Sequence, residues 1–400
     1  MKNLLIVSLL TLAAVASGQK FENLAPTPPM GWNSWNKIAC DVNEKVIREA
    51  ADAMVASGMK DAGYTYIVID DCWHGERDSL GFIQSDSVHF PSGIKALADY
   101  VHSKGLKFGI YSCAGNKTCA GRPGSRGYEY QDALQYAKWG VDYLKYDWCF
   151  TDGLSAEGAY TTMRDALYAA GRPIMFSLCE WGNNKPWLWG AKVGHLWRTT
   201  GDIAAQFEGS VDHGTWSSWG VLKILDMQEG LRQYAGPDHW NDPDMMEIGN
   251  GMTVNQDRAH MSMWCMLAAP LMAGNDLSNM TKETIEILTN KDVIAVDQDP
   301  LGIQGFKFAM KDSVETWFKP LANGDWAVCF LNRAKKPVGI EFDWKTQLVF
   351  DDLSKRELNA AQTEYDLVNL WTKAGSGNTK TALKAVVPGH DVLMLRLKKK

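Results

Sequence analysis

The sequence has no excess of basic residues and no long hydrophobic run after its first residues, and both absences exclude classes of function. Its 41 Lys and Arg residues stand against 47 Asp and Glu residues, which gives a net charge of −6. This balance provides no electrostatic case for a nucleic-acid partner. The apolar run at residues 4–15 is short for a bilayer span, and no later stretch resembles a transmembrane segment. We therefore expect no membrane association beyond the N-terminal segment.

Motifs of several other enzyme classes are also missing. The eight His residues form no His-Glu-x-x-His pair and no other spacing typical of a zinc site. The chain has no Gly-x-Ser-x-Gly turn of a serine hydrolase and no Walker-type phosphate loop. We expect neither a cofactor nor a resident metal. A metal-dependent hydrolase remains an alternative, because an acidic pocket could hold calcium or magnesium.

The first 18 residues have the composition of a secretory signal peptide. Lys2 supplies a positive charge, residues 4–15 are apolar, and small residues at 14–18 offer a cleavage site. An uncleaved anchor is the alternative. Export predicts a secreted, periplasmic or other oxidising location, where the eight cysteines could form disulfides. Their pairing does not follow from the sequence pattern alone.

Strand and helix patterns alternate between residues 30 and 272, which predicts a parallel sheet covered by helices. Eight such units in about 270 residues fit a (β/α)8 TIM barrel. A doubly wound open sheet is the alternative, but it would need a glycine-rich nucleotide turn near its start, and none is present. The run at 263–272 is taken as the last strand, although it could be helical. The predicted strands are 30–35, 64–69, 106–111, 141–149, 173–178, 196–200, 239–244 and 263–272, and the predicted helices are 43–57, 94–104, 130–139, 159–170 and 221–234.

The pattern changes after Gly302, where short β-type runs replace the alternation. Runs at 314–318, 326–331, 338–342 and 392–397 are typical of an antiparallel sheet, and Asn323-Gly324 is a strong hairpin turn. We predict a signal peptide at 1–18, a catalytic barrel at 19–302 and a C-terminal antiparallel β-sandwich domain at 303–400.

Carboxylates and aromatic residues follow the predicted strands, and the active site of a TIM barrel lies at these strand ends. Carboxylates accept hydrogen bonds from sugar hydroxyls and Trp stacks on sugar rings, so this mixture favours a carbohydrate site. Lys145 and Asp147 lie two residues apart on one strand and point the same way. A neighbouring cation favours an ionised carboxylate, which makes Asp147 a candidate nucleophile, although a simple ion pair is the alternative.

Eight motifs carry a resemblance to a known family. The sequence resembles glycoside hydrolase family 27, the melibiase-like α-galactosidase and α-N-acetylgalactosaminidase family, over about residues 26–305. The motifs are Pro-Met-Gly-Trp-Asn-Ser-Trp at 29–35, Ile-Asp-Asp-Cys-Trp at 69–73, Gly-Asn-Lys-Thr-Cys-Ala-Gly at 115–121, Tyr-Leu-Lys-Tyr-Asp at 143–147, Cys-Glu-Trp at 179–181, Trp-Arg-Thr-Thr at 197–200, Trp-Asn-Asp-Pro-Asp-Met at 240–245 and Asp-Gln-Asp-Pro-Leu-Gly at 297–302.

The resemblance implies the same barrel and β-domain, and a retaining double displacement. It gives Asp147 the role of the nucleophile and Asp202 the role of the acid/base. It also implies that Glu180 and Trp181 face the 2-position of the sugar, where a bulky pair favours a free 2-hydroxyl and hence galactose. The sugar-binding residues implied are Trp32, Asp70, Asp71, Tyr111, Cys119, Lys145, Glu180, Trp181, Arg198, Asp244 and Met245.

Within this set, Asp70 and Asp71 are expected at the 4- and 6-hydroxyls of the sugar. The resemblance further implies disulfides Cys40–Cys72 and Cys119–Cys149, and it leaves the other four cysteines free and buried. Two residues near the expected pocket depart from the family pattern. They are Cys113, where many relatives carry Asp, and Trp148, where Gly or Asn is commoner.

The predicted function is that of a retaining α-galactosidase acting on terminal α-D-galactose in oligosaccharides, polysaccharides or glycoconjugates. A β-L-arabinopyranosidase or an α-N-acetylgalactosaminidase with the same machinery is the first alternative. A catalytically silent sugar-binding protein is the second, and the presence of both Asp147 and Asp202 argues against it. Homo-oligomerisation is left open.

Overall fold

Eight parallel strands curl into a barrel in the computed structural model, which describes residues 20–400. The predicted signal peptide therefore lies outside the described residues. The strands are β1 Met30–Asn33, β2 Tyr66–Val68, β3 Lys107–Cys113, β4 Tyr143–Asp147, β5 Met175–Cys179, β6 Leu196–Arg198, β7 Trp240–Asp242 and β8 Leu271–Ala273. Neighbouring strands pair in the order β7-β6-β5-β4-β3-β2-β1-β8.

A single residue closes the barrel between β7 and β8. The amide of Met246 donates to the Met272 carbonyl at 2.7 Å, and the amide of Gly274 donates to the Met246 carbonyl at 3.0 Å. These bonds form a parallel bridge between the segment after β7 and strand β8. The prediction of a TIM barrel is confirmed.

Helices cover the outside of the barrel, and their apolar faces explain their positions. In Glu44–Ala56, the Asn43 side chain caps the N-terminus, and Ile47, Ala51 and Met54 are buried at helical spacing. Within residues 20–400, no helix combines the length and apolarity needed to cross a bilayer. The helices are Trp35–Ile38, Glu44–Ala56, Met59–Ala62, Gly93–Ser103, Glu129–Trp139, Ala156–Ala169, Val221–Asp226, Val254–Leu267, Lys282–Leu288 and Lys291–Asp297.

Two sequence-based expectations in this region are wrong. The run at 263–272 is mainly the end of helix Val254–Leu267, and the strand occupies only Leu271–Ala273. This helix is buried on every side from Ala259 onward, so it lacks the polar face that would have identified it. The helix predicted at 221–234 ends at Asp226, and Gly230 in a left-handed conformation (φ 79°) follows.

Antiparallel strands form the C-terminal part of the chain. A six-stranded sheet and two separate two-stranded antiparallel sheets enclose a second core around Phe318, Trp326 and Trp344. Asn323 and Gly324 adopt positive φ in the hairpin that pairs Pro320 with Trp326, as predicted for this turn. The strands are Phe306–Lys311, Val314–Pro320, Trp326–Asn332, Val338–Phe342, Leu348–Asp351, Arg356–Asn359, Tyr365–Asn369, Gly375–Asn378, Leu383–Val387 and Val392–Lys399.

The domain boundary predicted after Gly302 falls between the helix that ends at Asp297 and the strand that begins at Phe306. The buried helix Val254–Leu267 lies next to three strands of the C-terminal sheet. Lys319 of that sheet donates to the Cys265 carbonyl of the helix at 2.9 Å. The two parts of the chain therefore share a buried contact through this helix.

Candidate active site

A cleft of about 640 Å³ opens over the carboxyl ends of the barrel strands. The strand order explains this convergence, because parallel strands place their last residues at one end of the barrel. All predicted site residues line the cleft except Trp32 and Glu180. Those that line it are Asp70, Asp71, Tyr111, Cys119, Lys145, Asp147, Trp181, Arg198, Asp202, Asp244 and Met245.

Asp147 is the last residue of β4 and is only 6% exposed. Its Oδ1 accepts a hydrogen bond of 2.8 Å from the Trp148 amide. Burial raises the pKa of Asp147 from 3.8 to about 7, Lys145 opposes this rise, and the negative charge of Asp202 adds to it. Asp202 raises the pKa of Asp147 because both carboxylates line the same cleft and their negative charges repel each other.

Lys145 makes its ion pair with Asp70 rather than with Asp147. Its Nζ donates to Asp70 Oδ2 at 2.8 Å, and Asn33 Nδ2 donates to the same oxygen at 2.7 Å. Burial lowers the pKa of Lys145, but Asp70, Cys179 and Asp147 together outweigh this effect, so the pKa lies well above its ordinary value. The strand pattern indicated that Lys145 and Asp147 share a face, but it gave no sign of Asp70, which comes from another strand end.

Arg198, at the end of β6, bridges two carboxylates. Its Nη2 lies 3.0 Å from Asp202 Oδ1 and 2.8 Å from Asp244 Oδ2. Asp244 is buried and also accepts a bond of 2.8 Å from the Ile203 amide. Its burial raises the pKa to about 6, and Arg198 opposes the rise. The side chain of Asp202 is 38% exposed, so this carboxyl can exchange protons with solvent.

The carboxylate of Asp71 accepts hydrogen bonds from two backbone amides at one side of the cleft. Its Oδ1 accepts from the Cys72 amide at 2.7 Å, and its Oδ2 accepts from the Ala120 amide at 2.9 Å. Both predicted disulfides, Cys40–Cys72 and Cys119–Cys149, are present next to these contacts. The four remaining cysteines are free and buried, as expected.

Trp32 and Glu180 are not among the residues that line the cleft, and their contact with sugar stays a prediction. Trp32 packs in the barrel core, and its Nε1 donates to the Asn275 carbonyl at 2.7 Å. The Oε2 of Glu180 accepts from the amide and the side chain of Asn184, at 2.6 and 2.7 Å. Glu180 therefore holds the loop in which Trp181 adopts a left-handed conformation (φ 58°) and reaches the cleft.

Asp242, also at a strand end, is buried below the cleft, and its Oδ1 accepts from the Asp244 amide at 2.9 Å. This hydrogen bond braces the loop that carries Asp244.

Several residues that line the cleft were not predicted from the sequence. Trp35 belongs to the first family motif but is not among the sugar-binding residues that the resemblance implies. A hairpin at residues 210–219 contributes aromatic rings, yet its sequence carries no motif that would have drawn attention to it. The unpredicted lining residues are Trp35, Asn36, Ala120, Asn183, Gly201, Trp216, Ser217 and Trp219.

One trio of potential metal-ligand atoms, within 4.8 Å of one another, occurs in the described part of the chain at Cys119, Asp147 and Cys149. Cys119 and Cys149 are joined in a disulfide. Metal binding by cysteine requires a thiolate, which neither sulfur provides while the bridge is intact.

Comparison with known proteins places the chain in a family. Residues 27–299 match the family described as Alpha galactosidase A, and residues 311–397 match the Alpha galactosidase C-terminal beta sandwich domain. The chain belongs to the α-galactosidase A family. The resemblance to glycoside hydrolase family 27 seen in the sequence motifs is thereby confirmed.

Individual members of this family align with nearly the whole chain. Alpha-galactosidase A of Cellvibrio japonicus is 59% identical over 392 residues, covering 98% of this chain and 97% of that protein. The crystal structure of α-galactosidase I from Mortierella vinacea has a TM-score of 0.87 at 38% identity, covering 94% of this chain and 98% of that one. An α-galactosidase from Saccharomyces cerevisiae, solved with raffinose, has a TM-score of 0.87 at 30% identity and covers 96% of this chain and 100% of that one.

Proposed function

We propose that this protein is a retaining α-galactosidase that releases terminal α-D-galactose from oligosaccharides, polysaccharides or glycoconjugates. The observation that carries the proposal is that Asp147 and Asp202 line one cleft in a chain of the α-galactosidase A family. Their environments differ in the way the two roles require, because Asp147 is buried and Asp202 is partly open to solvent.

In the first step, a carboxylate oxygen of Asp147 attacks the anomeric carbon of the galactosyl unit. The bond between that carbon and the leaving oxygen breaks, and Asp202 gives its proton to the leaving oxygen. The product is a covalent galactosyl ester on Asp147 and a free alcohol. Attack requires the ionised form of Asp147, which Lys145 favours by opposing the effect of burial.

In the second step, Asp202 removes a proton from a water molecule. The water oxygen attacks the anomeric carbon, the ester bond to Asp147 breaks, and Asp202 is protonated again. Two inversions at the same carbon retain the α configuration of the released galactose. The exposure of Asp202 allows water to reach it after the alcohol has left.

The polar groups around Asp147 are suited to a galactose ring. Asp70 and Lys145 form a hydrogen-bonded pair that can recognise two neighbouring hydroxyls of the sugar. The Tyr111 hydroxyl is buried in the cleft wall and has no hydrogen-bond partner among the described residues. An unpaired buried hydroxyl costs about 1–3 kcal/mol, which a sugar hydroxyl can recover on binding.

The side chain of Trp181 lines the cleft where the family resemblance expects the sugar's 2-position. A large ring at that position leaves room for a hydroxyl and opposes an acetamide group. We therefore propose galactose rather than N-acetylgalactosamine as the preferred sugar. We further propose that residues 1–18 export the protein, since the two disulfides require an oxidising compartment to form.

The test is hydrolysis of nitrophenyl α-galactoside, β-L-arabinopyranoside and α-N-acetylgalactosaminide by the purified protein and by Asp147→Ala. We expect rapid release from the α-galactoside and its loss in the variant. Asp99→Ala, an exposed carboxylate outside the cleft, serves as the matched control and should keep full activity. Preference for the arabinoside would support the proposed mechanism but refute galactose as the preferred sugar. No release from any glycoside would refute the proposed glycosidase activity.

A further inference from the structure

Trp216 is an exposed aromatic residue that the proposed catalytic steps do not use. Half of its surface (50%) is open to solvent, although it lines the catalytic cleft. The imidazole of His213 stacks against one face of its ring, with centroids 3.9 Å apart and planes 20° from parallel. The ring is therefore held flat against His213 and presents an apolar surface at the mouth of the cleft.

Hydrogen bonds join the two strands of the hairpin that carries Trp216. Strands Ser210–Asp212 and Ser217–Trp219 pair antiparallel, and the amide of His213 donates to the Trp216 carbonyl at 2.9 Å. A hydrogen bond of 2.9 Å joins His213 Nε2 to the Ser218 hydroxyl, which fixes the plane of the imidazole. The indole is thus pre-ordered before any ligand arrives, which reduces the entropy lost on binding.

The same hairpin is attached directly to the proposed acid/base residue. The amide of Trp219 donates to the Asp202 carbonyl at 2.9 Å, and the Trp219 carbonyl accepts from the Ala204 amide at 2.9 Å. Asp202 must lie beside the leaving oxygen in order to protonate it. The sugar attached to that oxygen therefore extends toward the hairpin and away from buried Asp147.

We infer that the hairpin at residues 210–219 forms a subsite for the leaving sugar, in which the Trp216 ring, backed by His213, stacks on the apolar face of a pyranose. This inference rests on the proposed α-galactosidase function. Trp219 is less suited to the role, because the Lys223 ammonium covers its ring at 4.6 Å. The ligand class is a neutral oligosaccharide with a pyranose next to the terminal galactose.

The experiment compares two substrates that share the galactosyl group and differ in the leaving group. One is an α-galactosyl-(1→6)-glucose disaccharide, and the other is α-galactosyl fluoride, whose leaving group has no ring. The measured quantity is the kcat/KM of the disaccharide divided by that of the fluoride. For Trp216→Ala we expect this ratio to fall about tenfold, in line with the strength of contacts to an aromatic face.

Three further variants separate stacking from a general effect on the fold. Trp216→Phe should recover most of the ratio, and His213→Ala should lower it less than Trp216→Ala does. Tyr130→Ala removes an aromatic ring of similar exposure (56%) from a helix outside the cleft and should leave the ratio unchanged.

An unchanged ratio in Trp216→Ala, with the wild type active on both substrates, would overturn the subsite and leave the proposed function standing. Equal losses on the two substrates would also overturn it, since they would show that the hairpin acts through Asp202 or the fold. A wild-type protein inactive on both substrates would overturn the proposed function, and the subsite with it.

Discussion

Replacing the buried carboxylate Asp147 by asparagine should stabilise the protein while abolishing its activity. Folding moves this carboxyl from water into a site where it is only 6% exposed, and its pKa rises from 3.8 to about 7. The folded state therefore binds the proton more tightly than the unfolded chain does. At a pH where both states are ionised, the folded protein carries the cost of a buried charge.

The size of the effect follows from the pKa shift. A rise from 3.8 to about 7 is about 3 units, and at 1.36 kcal/mol per unit this amounts to about 4 kcal/mol. The sign follows from proton binding: between these two pKa values the native state holds more protons, so the free energy of unfolding falls as pH rises. The contribution of Asp147 to the free energy of unfolding is fully present below pH 4, where the carboxyl is protonated in the folded state. It is lost as pH rises through about 7.

The assay is urea unfolding of wild type and Asp147→Asn, followed by tryptophan fluorescence at pH 8 and at pH 4. We expect the variant to be more stable by about 4 kcal/mol at pH 8 and by less than about 1 kcal/mol at pH 4. Asp99→Asn, an exposed control, should show no such difference. A variant with equal or lower stability than wild type at pH 8 would refute the inference that the buried, ionised Asp147 destabilises the folded protein.

Other variants test the remaining parts of the site. Since the charge of Asp202 raises the pKa of Asp147, Asp202→Asn should move the acid limb of kcat/KM to lower pH, measured with α-galactosyl fluoride. Lys145 has the opposite influence, so Lys145→Met should move that limb to higher pH and raise KM, as a pH series of initial rates would show. Replacing Cys119 and Cys149 by serine opens a loop with a sequence separation of 30, and calorimetry should show a loss of about 3–4 kcal/mol. An unmoved pH limb in the first two variants, or unaltered stability in the third, would contradict these assignments.

The barrel and most of its site could be predicted because polar residues interrupt apolar strands at regular intervals. Asp70, Asp147 and Arg198 each follow a buried run, and the symmetry of a barrel brings such positions together. The helix Val254–Leu267 was harder to identify, because burial on all sides removes the polar and apolar alternation on which sequence reasoning depends. Short apolar runs of this kind leave strand and helix equally plausible.

The contacts between side chains were less predictable than their placement. Spacing along β4 indicated that Lys145 and Asp147 share a face, but the ion pair of Lys145 is made with Asp70, from another strand end. The role of Glu180 at the sugar stays a prediction: its Oε2 accepts from Asn184 within its own loop, whereas its Oε1 is buried with no hydrogen-bond partner among the described residues. The Trp216 hairpin lacks a motif, so only the folded chain reveals that its ring reaches the cleft.

Trapping the galactosyl ester on the enzyme tests directly whether Asp147 is the nucleophile. A fluorinated α-galactosyl fluoride that forms the intermediate quickly and hydrolyses slowly is incubated with the wild-type protein, which is then digested and analysed by mass spectrometry. We expect one fluorogalactosyl group on the peptide that contains Asp147, and no label on the Asp147→Ala variant. A label on Asp202 or Asp244, or the absence of any label during turnover, would contradict the assignment of Asp147 as the nucleophile.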